Sequence, residues 1–264
     1  MINNLREFLY RLFKFLGIGL ILYRVDSKKN IVPFDKSEYF KFVESNQDTD
    51  LYFSSLQHVT PQNDLPDTDI YKELRFLSLI QLAKLALGSN LEGEVAECGC
   101  YRGHSTYIIS KFIKELNPEK KLFVFDSFAG LSAKDPDLDR PVFYTQDEEI
   151  VTDLGRFSCS LEEVQKNLAE FSFIRYFKGY IPERFEEVSD DCFCFVHIDV
   201  DLYQPTFDAL DFFYPKLVKG GIIIIDDYGS SLYKGAARAV DNYLKNNTPS
   251  FFYEVPMGSA FLIK

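Results

Sequence analysis

The chain has 264 residues, 46% of them hydrophobic, and a formal net charge of -11. That length accommodates one large α/β domain and a smaller appendage around a packed core. The acidic balance argues against a nucleic-acid partner, whose phosphates need a basic surface.

Residues 1–25 are rich in Phe and Leu, but Arg6, Arg11, Lys14 and Arg24 interrupt them. The uncharged run from 15 to 23 falls short of the ~20 residues that a spanning helix needs. No small-residue cleavage site marks a signal peptide. Two placements are open for an amphipathic helix here. It packs on the protein or on a second subunit of a homo-oligomer, or it lies on a membrane surface through its apolar and basic residues. Residues 26–67 lack a strong period and read as irregular segments and short helices capping one side of the domain. The expected division is therefore 1–67, an amphipathic helix and cap, and 68–264, the main domain.

Residues 70–87 read as a mostly buried helix with a narrow polar face of Arg75, Ser78, Gln81 and Lys84. A short strand ending at Glu97 follows. Then come a turn with Gly99 and Gly103 and a helix over 105–116. The E-x-G-x-x-x-G spacing lets the backbone approach a ligand closely, though it differs from the three-glycine dinucleotide fingerprint. Residues 122–126 form the next strand, ending in Asp126. An acid at this tip, about 20 residues beyond the glycine loop, suits ribose hydroxyls. The acidic stretch 132–149 has no regular period and reads as a mobile flap. A helix over 161–171 and a strand over 173–177 precede the central unit.

That unit runs from 193 to 228. The mostly apolar run 193–198 ends in Asp199, with Asp201 two residues on. A helix over 204–217 is stopped by Gly220-Gly221, and the run 222–225 ends in Asp226-Asp227. Continuous apolar runs joined by a helix describe a parallel β-α-β unit buried on both faces. Ligands bind beyond the carboxyl ends of such strands, so Asp199, Asp226 and Asp227 converge on one rim. Three carboxylates that close repel one another unless a cation holds them, and hard oxygen ligands suit Mg²⁺. Asp201 reads either as a fourth ligand or as an acid standing behind these three. A helix over 235–246 and a hairpin of 251–255 with 260–264 close the chain.

The five cysteines are an odd number, and all but Cys159 sit in or beside apolar runs. This suits reduced, buried thiols in a cytosolic protein. The two C-x-C pairs, Cys98/Cys100 and Cys192/Cys194, hint at zinc, but they fall at opposite edges of a parallel sheet. His104 reads equally as a cofactor contact or as packing, His197 as a buried structural residue or, on the strand face of Asp199, one that orients the site, and His58 as a surface residue or an acceptor-side base.

The alternation of strands and helices resembles class I S-adenosylmethionine (SAM) methyltransferases. More closely, the chain resembles the macrocin O-methyltransferase (TylF/MycF-like) family. The matching segments are V-A-E-C-G-C-Y-R-G-H-S-T at 95–106, F-D-S-F-A-G-L at 125–131, K-G-Y-I-P at 178–182, H-I-D-V-D-L-Y at 197–203 and Y-P-K-L-V-K-G-G-I-I-I-I-D-D-Y-G at 214–229. The resemblance implies a Rossmann-like, seven-stranded, mostly parallel sheet with a C-terminal antiparallel hairpin behind an N-terminal helical or irregular cap. It implies SAM bound by Glu97, Gly99, Tyr101, Arg102, Gly103, Ser105, Asp126 and Ser127. Glu97, Gly99 and Gly103 would line the methionine end, and Asp126 would hold the ribose. It also implies Mg²⁺ on Asp199, Asp226 and Asp227, with Asp199 the catalytic base, and a sugar hydroxyl of a glycan or glycosylated metabolite as acceptor. A catechol-like acceptor and a non-catalytic SAM-fold binding module are the rival readings. The expected setting is cytoplasmic, at the inner face of the membrane if residues 1–25 bind lipid.

Overall fold

The structure is a computed structural model that describes residues 47–61, 70–141, 155–230, 232–255 and 258–264. The helix expected over 1–25 lies outside them. All described residues belong to one compact unit, 46–264. Among them, no helix is long and apolar enough to cross a membrane.

Seven strands form one sheet: β1 Glu94–Cys98, β2 Leu122–Asp126, β3 Ile174–Lys178, β4 Phe193–Ile198, β5 Leu217–Ile225, β6 Phe251–Glu254 and β7 Ala260–Ile263. Their spatial order is β3-β2-β1-β4-β5-β7-β6. The first five are parallel, and β7 runs antiparallel to both β5 and β6. The expected mostly parallel sheet with an antiparallel hairpin at its edge is what forms. The order reverses between β1 and β4, which opens a crevice beyond their carboxyl ends.

Six described helices flank the sheet: α1 Gln47–Val59, α2 Ile70–Gly88, α3 His104–Leu116, α4 Leu161–Asn167, α5 Tyr203–Lys216 and α6 Lys234–Leu244. Helix α1 packs on α2 and α3, and α2 lies against β4 and β5. Helices α5 and α6 pack together, with α5 against the same two strands. Side chains alternate between the faces of each strand. Ala96, Phe125, Val196, Ile198, Ile223 and Ile225 enter one core with Leu210, Phe213 and Val240. Phenylalanine does most of the work in a chain without tryptophan. Phe125 stacks on Phe177 at 4.6 Å, and Phe193 meets Phe213 edge-on at 4.9 Å. Such pairs add to what their burial contributes.

Three departures from expectation bear on the site. Helix α1 is a regular helix of 13 residues inside the stretch read as irregular segments and short helices. Gly220 and Gly221 do not stop α5, which ends at Lys216 with Leu217 already extended. They sit inside β5, where the pairing with β4 jumps from Phe193↔Leu217 to Phe195↔Ile222. Gly220 has φ 83, and a Cβ on Gly221 would meet Leu217 Cγ at 2.8 Å, so the bulge needs glycine.

The third departure concerns the flap. Its described part, 132–141, is tied down, and 142–149 lie outside the described residues. Asp139 is buried and accepts from the backbone N–H of Tyr203 at 2.7 Å and of Asp135 at 2.7 Å. It thereby caps α5, whose own N-cap residue Leu202 provides no side-chain cap. Arg238 of α6 donates to the carbonyl oxygens of Asp137 and Arg140 at 3.1 and 3.2 Å. A Cβ on Gly235 would lie 1.8 Å from Asp139 Oδ1, so glycine admits this carboxylate. Asp139→Ala leaves the start of α5 without its acceptor and should lower stability by about 1–3 kcal/mol. Urea unfolding checks this, and an unchanged midpoint would show that the loop is not held this way.

Candidate active site

The carboxyl ends of five strands line one cavity. Gly99, Cys100 and Tyr101 follow β1, Asp126 and Ser127 close β2, and Gly179, Tyr180 and Ile181 follow β3. Asp199 and Asp201 follow β4, Asp226 and Asp227 follow β5, and α2 adds Lys72, Arg75 and Phe76. Backbone hydrogen bonds align the rim. Gly99 N donates to Phe125 O at 2.8 Å, Asp199 N to Cys98 O at 2.8 Å, and Asp226 N to Ile198 O at 2.9 Å. Gly99 has φ 83, and a Cβ there would lie 1.9 Å from Asp199 O. Glycine at 99 therefore lets the β1 and β4 tips close on one another.

Of the eight residues expected around SAM, Gly99, Tyr101, Ser105, Asp126 and Ser127 line the cavity, and Glu97, Arg102 and Gly103 do not. Glu97 is fully buried and pairs with His197 Nδ1 at 2.9 Å while accepting from the Thr106 hydroxyl. The register of β1 on β4 sets Glu97 opposite His197, so a buried acid finds its partner inside the sheet. Burial opposes charge on His197, but Glu97 outweighs it and raises the imidazole above its usual range. Arg102 is held from behind, its carbonyl accepting from Asn167 Nδ2 at 3.1 Å. Gly103 caps α3 with φ 90, and a Cβ there would press on Leu168 Cδ1 at 3.0 Å. Its glycine serves helix entry and packing.

Asp126 organises the loop beside it. Its Oδ2 accepts from Cys100 N at 2.7 Å and Tyr101 N at 3.2 Å, and its Oδ1 from Phe128 N at 2.7 Å. Asp126 thus both caps the turn and lines the cavity. Tyr101, Phe157 and Asp201 line the cavity with φ of 48, 62 and 60. Left-handed backbone is uncommon outside glycine, and such strain collects where a ligand is held. Tyr101 and Phe157 meet edge-on at 5.7 Å.

The three aspartates do meet. One oxygen each from Asp199, Asp226 and Asp227 lie within 4.8 Å of one another. Asp226 and Asp227 are buried, and Asp199 is half-buried. Arg75, from α2, is the residue that the sequence reading missed. Its Nη1 lies 3.0 Å from Asp226 Oδ2 and 3.1 Å from Asp227 Oδ1. The signal was available, since an arginine on a mostly buried helix needs an anionic partner. Burial works against its charge, yet Asp226, Asp227 and Asp199 push Arg75 above its usual range. Burial and the charge of Asp199 raise Asp226, and burial and the charge of Asp201 raise Asp227 further. Burial and Asp199 push Asp201 up to about 7.

These residues fit a divalent cation. The donors are hard oxygens, their mutual repulsion calls for a positive charge, and Asp227 Oδ2 is buried with no hydrogen-bond partner. The cysteines do not compete for this role. All five are free, with Cys98 at the end of β1 and Cys194 at the start of β4. Four are buried, but the exposed one is Cys192, and Cys159 is inside. His104 stacks on Phe76 at 4.3 Å, with Nε2 3.0 Å from Ser55 Oγ. Burial and Lys72 push it down to about 3, so the ring is neutral, and it both packs between the helices and lines the cavity. His58 is exposed, as expected.

A family model for macrocin O-methyltransferases matches residues 64–250. The chain belongs to this family. Among curated relatives, it is 26% identical over 176 residues to demethyldecarbamoylnovobiocin O-methyltransferase of Streptomyces niveus, a match covering 64% of each chain. It is 27% identical over 159 residues to mycinamicin III 3''-O-methyltransferase of Micromonospora griseorubida, covering 58% of this chain and 62% of that one. The matches thus span less than two thirds of these relatives' own lengths. Among solved structures, the O-methyltransferase NovP superposes with a TM-score of 0.63 at 19% identity, over 87% of this chain and 99% of that one. The calicheamicin methyltransferase CalS11 superposes with 0.57 at 16%, over 93% and 99%. Both superpositions show a shared fold.

A carboxyl group whose folded pKa is raised binds its proton more tightly folded than unfolded. Between the ordinary carboxylate range and about 7, the folded metal-free protein holds the extra proton, so this group's contribution to stability falls as pH rises. Asp201→Asn should flatten that fall. Thermal unfolding of metal-free protein across pH 4 to 8 checks it, and parallel curves for both proteins would show that Asp201 does not titrate late.

Proposed function

We propose that the chain is a SAM-dependent O-methyltransferase that methylates a sugar hydroxyl of a glycan or glycosylated metabolite with the help of Mg²⁺. The observation that carries this reading is the cluster of Asp199, Asp226 and Asp227 lining one cavity with residues of the glycine loop. The family and its relatives support it. The mycinamicin relative is named as a 3''-O-methyltransferase, and one structural neighbour as a TDP-rhamnose 3'-O-methyltransferase.

SAM would supply an electrophilic methyl group on a sulfonium. Gly99 and Tyr101 offer backbone surface for its amino-acid end, and Asp126 offers a half-buried carboxylate for its ribose. Asp199, Asp226 and Asp227 would hold the divalent cation. When bound, the cation lowers the pKa of an acceptor hydroxyl that is far too weak an acid to ionise at neutral pH. Asp199 is the least buried of the three acids and takes the hydroxyl proton. The oxygen then forms its bond to the methyl carbon as the carbon–sulfur bond breaks. The strand tips would hold donor and acceptor in line, and such positioning contributes much of the rate.

Purified protein with SAM and Mg²⁺ should methylate members of a panel of sugars, sugar nucleotides and glycosides. EDTA should stop turnover, and Mg²⁺ should restore it. Full activity of metal-free enzyme would overturn the metal role, and turnover of catechol alone would overturn the acceptor class. Asp199→Asn should abolish turnover while keeping affinity for S-adenosylhomocysteine. Asp126→Ala loses a ribose acceptor and frees the N–H groups of Cys100 and Tyr101. Calorimetry should show S-adenosylhomocysteine binding weakened by about 1.5–3 kcal/mol, and undiminished binding would remove Asp126 from the site.

A further inference from the structure

We propose that Arg75 is a positioning residue for the divalent cation, orienting two of its three aspartates from a helix remote in sequence. The inference rests on the reading of Asp199, Asp226 and Asp227 as the cation's ligands. Arg75 is mostly covered, its side chain 19% exposed. Nη1 bridges one oxygen of each acid, Oδ2 of Asp226 at 3.0 Å and Oδ1 of Asp227 at 3.1 Å. It also donates to the Asp226 carbonyl at 3.4 Å. A single nitrogen thus fixes both side chains and the backbone between them.

The division of oxygens is what matters. Arg75 engages Asp227 through Oδ1, and Oδ2 of the same carboxylate is buried with no hydrogen-bond partner. By holding Oδ1, Arg75 leaves Oδ2 of the same carboxylate open to a ligand bond. Groups behind metal ligands act in this way, setting the angle at which each ligand meets the ion. Arg75 also carries a positive charge close to where the cation would bind, which by itself weakens cation binding. Orientation and repulsion therefore act in opposite directions on cation affinity, and a binding measurement separates them.

The experiment titrates the full-length protein, without SAM or acceptor, with Mn²⁺ and follows free Mn²⁺ by electron paramagnetic resonance. Orientation predicts that Arg75→Gln weakens Mn²⁺ binding about 10–100-fold, and that Arg75→Lys recovers part of the loss. Thermal unfolding of each variant, read as one cooperative transition, establishes that it is folded. If Arg75→Gln does not fold, Arg75→Lys decides: weaker binding than wild type supports the proposal, and equal or tighter binding overturns it. Mn²⁺ binding by Arg75→Gln equal to or tighter than wild type shows that the guanidinium only competes with the cation. That result overturns the positioning role and leaves the cation site standing. Absence of Mn²⁺ binding by the wild type overturns both.

Discussion

Four carboxylates at the ends of two adjacent strands share one buried corner, with a single guanidinium bridging two of them. Asp199, Asp201, Asp226 and Asp227 repel one another, and three of them are almost out of water. Removing one partner from such a set leaves a buried charge unpaired, at a cost of several kcal/mol. Helix α2 must therefore bring Arg75 over the tips of β4 and β5. That demand places α2 on the sheet, and α1 and α3 follow by packing on α2 and on each other. The His104 ring, stacked on Phe76 and bonded at Ser55, is where these three helices meet.

The glycine loop shows a second division of labour. Some of its residues meet the cavity, and others hold those in place from behind. Asp126 fixes the Cys100 and Tyr101 amides, Asn167 fixes the Arg102 carbonyl, and Glu97 binds His197 and Thr106 beneath them. A loop held at so many points can keep strained residues such as Tyr101 in left-handed backbone. The opposite wall is held as firmly, by Asp139 at the start of α5 and Arg238 of α6. The described cavity is therefore largely preformed, which suits a reaction that depends on alignment.

By itself, the sequence determined the strands and which acids stand at their ends. Runs such as Phe193–Ile198 and Leu122–Asp126 are legible because length and continuous apolarity belong to contiguous residues. The acids that close those runs converge by a general rule of parallel sheets. Tertiary structure alone decided which groups face one another. Arg75 meets Asp227 across 152 positions, and Glu97 meets His197 across 100. No local period encodes such a pairing. Glu97 and Gly103 were read as ligand-facing because a motif shows which residue types are present but not which way each points. Gly220 and Gly221 looked like a helix stop because glycine ends helices and bends strands alike. The stretch 132–141 looked mobile because it lacks a period, and its anchors lie far along the chain in Tyr203 and Arg238. Local sequence sets backbone form, because it acts through neighbours only. The pairing of buried charges is set by how helices cross the sheet, because an isolated buried charge is too costly to leave wherever the local pattern puts it.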